Sequence, residues 1–135
     1  MNGFKDREEL WSVVQNCVSH INNDPVIKRA STLTRLIVGY YYPDMHFGWT
    51  LRIGNGRVMA ELDQAEFDIE VEMESATYRK LLKGEINPIQ AHMTGEIIMK
   101  GPVSRTVRLQ PFLKPLQTAY KELYKPEGCT ECESF

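Results

Sequence analysis

His92 is the one group in the stretch LLKGEINPIQAHMTGEIIMKG, residues 81–101, that titrates near neutrality. General acid–base or nucleophilic work by an imidazole needs a nucleophile, a carboxylate or a substrate proton within hydrogen-bonding reach. No serine or cysteine elbow and no second histidine stands nearby in the sequence. Three residues from Ile89 and next to Met93, the ring falls on or beside the buried face of a short helix. The expectation is a packed or pocket-rim histidine and no catalytic residue.

The cysteines are the next candidates. Cys17 lies in a helical pattern, while Cys129 and Cys132 share the CTEC step of the C-terminal PEGCTECESF. That spacing supplies half of a zinc site, but a closed site uses four ligands and no histidine or second cysteine pair stands near to complete it. No metal is expected, and an odd cysteine count argues against a secreted disulfide framework. Dinucleotide, Walker, HExxH and EF-hand patterns do not occur, so no cofactor is expected either.

The elements that would position these residues can be read from periodicity. In residues 4–21, Leu10, Trp11, Val14, Cys17, Val18 and Ile21 draw one apolar stripe down a helix, which Asn22, Asn23, Asp24 and Pro25 end. β-Branched and aromatic residues predict a strand over about 33–42, broken by Pro43. HFGWTLRI predicts a second strand, with Phe47, Trp49, Leu51 and Ile53 on one face. Asn55 and Gly56 then suit the two positive φ angles of a tight hairpin, returning RVMAEL antiparallel. In FDIEVEME, Phe67, Ile69, Val71 and Met73 alternate with Asp68, Glu70, Glu72 and Glu74, so one face is apolar and the other carboxylate. Ser75 can cap the next helix and Gly84 stop it; Asn87 and Pro88 start another, and Gly95 ends it. EIIMK reads as a fifth strand, turned out by Gly101 and Pro102. Two closing helical segments follow, bent near Pro111 and Pro115. Strands in a run, then helices, predict an α+β fold: a five-stranded, mainly antiparallel sheet covered on one face by helices.

At 135 residues, the chain suits one domain over 1–125, followed by a polar tail at 126–135. With 42% hydrophobic and 25% charged residues and a net charge of −2, nothing in the composition favours nucleic acid. No apolar run is long enough to span a membrane and no signal-peptide pattern opens the chain, which predicts a cytoplasmic protein.

Residues 81–101, with the acidic alternating strand and SATYRKLL before them, resemble the signature region of the sterol carrier protein type 2 lipid-binding family. The correspondence is a helix ending at Gly84 and Glu85, a start at Asn87 and Pro88, the apolar Ala91-x-Met93-x-Gly95 segment, and a strand closing at Lys100 and Gly101. It extends over about 33–123 and contains no catalytic residue. The resemblance implies an apolar tunnel between sheet and helices that takes up a fatty acyl chain, acyl thioester, sterol or isoprenoid. The terminal Glu133, Ser134 and Phe135 are not the address that peroxisomal members carry, which suits a stand-alone prokaryotic-like member.

Residue types agree with such a tunnel. Met73, Met93 and Met99 fall in elements facing the space between sheet and helices, and methionine repacks around differently shaped guests. Phe47, Trp49, Ile69, Val71, Leu82, Ile89, Phe112 and Leu116 would complete the wall, with His92, Tyr120 or Arg105 meeting a headgroup at the mouth. A 16-carbon chain buried at about 0.8 kcal/mol per methylene contributes on the order of 12 kcal/mol. Subtracting roughly 4–6 kcal/mol for lost freedom leaves micromolar or tighter binding without a polar anchor. The six basic residues between positions 100 and 125 would suit transient contact with anionic membrane headgroups. A different reading makes the chain an accessory or scaffold subunit of a lipid- or quinone-related enzyme assembly, with Tyr40 to Tyr42 or the first helix holding an enzyme partner or a second copy.

Overall fold

The computed structural model describes residues 4–62 and 66–124. The first helix, α1 (Arg7–Ile21), begins where Asp6 accepts a hydrogen bond from Glu9 N, and it buries Leu10, Val13, Val14, Cys17, Val18 and Ile21. The sequence reading took Asp24 and Pro25 as a terminator. They instead open a second helix, α2 (Pro25–Leu33), with the Asp24 side chain capping Val26 N and Pro25 in the first turn. An Asx-Pro step both ends one helix and starts the next, and only the start at Asn87 and Pro88 was read as one. Because Leu33 belongs to α2, the first strand is shorter than expected: β1 (Leu36–Tyr42).

Strands β2 (Phe47–Gly54) and β3 (Arg57–Glu61) form the expected hairpin, with Asn55 and Gly56 both at positive φ. β4 (Ile69–Met73) returns to the other side of β1 and runs parallel to it, and β5 (Ile97–Lys100) closes the far edge antiparallel. The order is β3-β2-β1-β4-β5, a five-stranded α+β sheet with one parallel pair. Ile69, Val71 and Met73 are buried and Glu70 is exposed, as the alternation requires. Two residues of that pattern depart from it. Phe67 precedes the strand, and its ring lies against Gly39 on the sheet's open face. Asp68 does not simply face water: its carboxylate accepts from Ile37 N at 2.9 Å and from Arg105 Nη1 at 2.6 Å.

Helices α3 (Ser75–Lys83), α4 (Pro88–Met93), α5 (Val103–Val107) and α6 (Leu113–Leu123) complete the cover, with α6 packed against both α1 and α3. Ser75 does not cap α3 with its own side chain. Asp44, in the turn after β1, accepts from Ser75 N at 2.9 Å and Ser75 Oγ at 2.6 Å, so the cap is supplied across 31 residues of sequence. Asn87 caps α4 as expected, and Gly84 and Gly95 leave their helices at positive φ. Gly101, at φ 144°, lets the backbone pass Asp68: a Cβ there would stand 2.9 Å from its carbonyl oxygen. Cys129, Cys132 and the proposed tail lie outside the described residues.

Candidate functional site

Two apolar layers meet imperfectly between the sheet and helices α3 to α6. The long α1 and its neighbours fill one end of the core. At the other end the cover consists of α4 and α5, six and five residues long, and a 3-10 turn at Gln110–Phe112. Such short pieces cannot lay a continuous stripe of side chains over the sheet, and a cavity of about 230 Å³ remains. Its floor is Tyr40, Leu51, Val71, Met73, Ile97 and Met99 from the sheet. Tyr78, Leu81 and Leu82 of α3 form one wall, and Leu113 and Leu116 of α6 with Phe112 form another. Pro88, Ile89 and His92 of α4, and Thr106, Val107, Leu109 and Gln110 around α5, edge the opening.

The residues expected to form a wall divide between this cavity, the packed core and, for Met93, the surface. Val71, Met73, Leu82, Ile89, His92, Met99, Phe112 and Leu116 border the cavity. Phe47, Trp49, Ile69, Met93 and Tyr120 do not. Trp11 of α1 reaches Phe47 and Trp49, with ring centroids 6.0 and 6.3 Å away, and Tyr40 stacks on Trp49 at 4.7 Å, so this end is solid aromatic core. Ile69 is wholly buried, Tyr120 stacks on Tyr124 toward the C-terminal end of α6, and Met93 is 79% exposed on α4. Tyr40, Leu51 and Ile97 of the sheet, Tyr78 and Leu81 of α3, Pro88, Leu113, and Thr106, Val107, Leu109 and Gln110 also border it and were not among the expected wall residues. Residue type and period do not distinguish core from wall.

The electrostatics of the space are neutral. Burial pushes the phenols of Tyr40, Tyr42 and Tyr78 well above the usual tyrosine range, so all three stay protonated. Trp49 Nε1 donates to Tyr42 Oη at 2.9 Å, and Tyr42 in turn shares a hydrogen bond with Tyr78. The polar atoms of Trp49, Tyr42 and Tyr78 are thus satisfied among themselves. His92 stands at the rim with Nδ1 3.2 Å from the Ile97 carbonyl oxygen, within hydrogen-bonding distance of it. Arg105, the expected headgroup contact, is engaged with Asp68. The thiol of Cys17 is buried in α1, and burial pushes it up to about 12. Among the described residues no group of three or more potential metal ligands assembles. The arrangement can enclose an apolar group, and among the described residues that border it there is no Asp, Glu, Lys, Arg, Ser or Cys.

Comparison with known proteins gives this geometry a family. The model of the SCP-2 sterol transfer family matches residues 28–114. Human stomatin-like protein 1 is 34% identical over 67 residues, half of this chain; the match spans 17% of that relative's length. The UbiJ-SCP2 ubiquinone synthesis protein has a similar fold, with a TM-score of 0.62 and 13% identity over 91% of this chain and 98% of its own. The sterol carrier protein 2 of Aedes aegypti, solved in complex with the C16 fatty acid palmitate, superposes with a TM-score of 0.55 and 12% identity, covering 74% and 93% of the two chains.

Proposed function

Because this chain belongs to the SCP-2 sterol transfer family, with its lipid-binding carrier role, we propose that it binds one lipid-like molecule, a fatty acyl chain or a ligand of similar girth, in the cavity between sheet and helices. It performs no covalent chemistry on that molecule. The observation that carries the reading is the cavity itself: apolar, bordered by Met73 and Met99, and without an ionised group inside. Palmitate in the Aedes aegypti relative supports the ligand class.

The cavity's size refines the proposal. A dry apolar cavity of roughly 150 Å³ takes one benzene, so 230 Å³ takes on the order of nine carbons. A 16-carbon chain therefore either leaves its end in the mouth or moves the cover outward. Exchange takes place at a membrane surface. Ile89, Met93, Val103 and Val107 expose apolar side chains on the two helices at the mouth, and Arg108 and Lys114 are exposed close by in sequence. Cosedimentation with phosphatidylserine vesicles is expected, and equal recovery with neutral vesicles contradicts the anionic contact.

The accessory reading has one observation in its favour, the fold shared with the UbiJ-SCP2 protein. Its proposed docking residues are weakened by burial, since Tyr42 is wholly buried and, of the three tyrosines, only Tyr41 is exposed. Native mass spectrometry before and after organic extraction separates the two. Carriage predicts a lipid-sized adduct that extraction removes; a clean apo mass in a stable heteromer contradicts it.

A further inference from the structure

The sheet face turned away from the helices holds a second cavity, of about 220 Å³, which ligand carriage does not use. We propose that it binds an ammonium or guanidinium group on an apolar stem, such as a lysine or arginine side chain presented by a partner protein.

Two strand glycines create it. Gly39 in β1 and Gly48 in β2 stand inside the central strands, where glycine weakens a sheet and marks close approach by another group. A Cβ on Gly39 would lie 2.7 Å from the Phe67 ring, and one on Gly48 would lie 3.3 Å from the Tyr41 ring. Each bare position thus accepts an aromatic ring close against the backbone, and the space beside the rings stays open. Across the strands, Gly39 stands opposite Glu70 and Tyr41 opposite Glu72; Glu70 faces Lys100, and Glu72 faces Ile98. All of these line the hollow.

The charges decide what fits. Neither Glu70 nor Glu72 has a hydrogen-bond or ion-pair partner among the described residues. Lys100 stands opposite Glu70, while Glu72 stands opposite an isoleucine, with no cationic residue across from it. An anion would be repelled, and a neutral apolar guest would strip water from carboxylates that it could not satisfy. A cation on a hydrocarbon stem answers both surfaces, the stem lying on the rings and the head reaching Glu72. A lysine or arginine side chain carried by a partner protein is such a group, its aliphatic stem and charged head matching the rings and the carboxylate.

The test is an amide NMR titration of the intact protein with Nα-acetyl-arginine amide, run beside the neutral Nα-acetyl-citrulline amide. Saturable shifts at Gly39, Gly48 and Glu72 are expected with the arginine probe alone. Glu72→Gln should weaken that binding roughly three-fold and Lys100→Gln should tighten it by a similar factor, both with unchanged thermal midpoints. Tighter binding of arginine within a Gly-Gly-Arg-Gly-Gly peptide supports a partner chain as the source, and equal binding overturns that assignment. Equal shifts from the citrulline probe, or a curve that neither charge change moves, overturn the proposal. Either result leaves lipid carriage untouched, because the site lies on the other face of the sheet.

Discussion

Cys17 is a residue whose chemistry the fold alters through burial. Its thiol, ordinarily near 9, is held up to about 12 because burial excludes the thiolate from α1's packed face. Tyr40, Tyr42 and Tyr78 are raised from their usual value of 10 for the same reason. In the folded chain these groups keep protons that the unfolded chain releases above pH 9 to 10, so the unfolded state binds fewer protons there and stability falls as pH rises. Urea midpoints should decline from pH 9 upward for these groups, and Cys17→Ala should delay the onset by about one unit, to where tyrosine ionises. A midpoint unchanged up to pH 12 contradicts their burial. His92 could be singled out at this scale from its place in the short helix, and the structure puts it beside the cavity. Asp44 could not be: its cap on Ser75 depends on a contact 31 residues away, and no local pattern signals it.

Among the elements, α5 is the one free to act as a cover. It buries none of its residues, and Arg105 ties it to Asp68 beside the start of β4. Elements with few buried contacts open at low free energy, whereas α1, with six buried residues, should open only with the whole domain. Hydrogen exchange should therefore be fastest, among the helices, at the amides of α5, and should slow there when a 16-carbon fatty acid is added. Exchange in α5 that matches α1, or that ignores the ligand, excludes it as the moving part. The strands and most helices could be read from period and caps. The alternation of Ile69, Val71 and Met73, the Asn55-Gly56 turn and the Asn87-Pro88 start each state their structure locally. What escaped was α2, because Asp24-Pro25 was taken only as a stop, and the placement of Phe67, because an apolar residue at the strand's period can still fold over a glycine on the other face.

At the scale of the whole molecule, the sheet separates two environments. One face carries the α1 core and the apolar cavity; the other carries carboxylates around a small aromatic hollow. The sequence announced which residues are apolar but not which apolar residues stop short of contact, since a void is a property of how helices of different length meet the sheet. Trp49 and Phe47 look like wall by type and became solid core because Trp11 fills the space against them. The methionines turn this difference into a measurement. Met73 and Met99 border the cavity, while Met45 and Met59 do not. With methyl-labelled methionine, titration with a 16-carbon fatty acid should shift the Met73 and Met99 signals, saturating at one equivalent, and leave Met45 and Met59 in place. If Met73 and Met99 stay fixed, or all four move alike, the ligand is not held between sheet and helices and the carrier account is wrong.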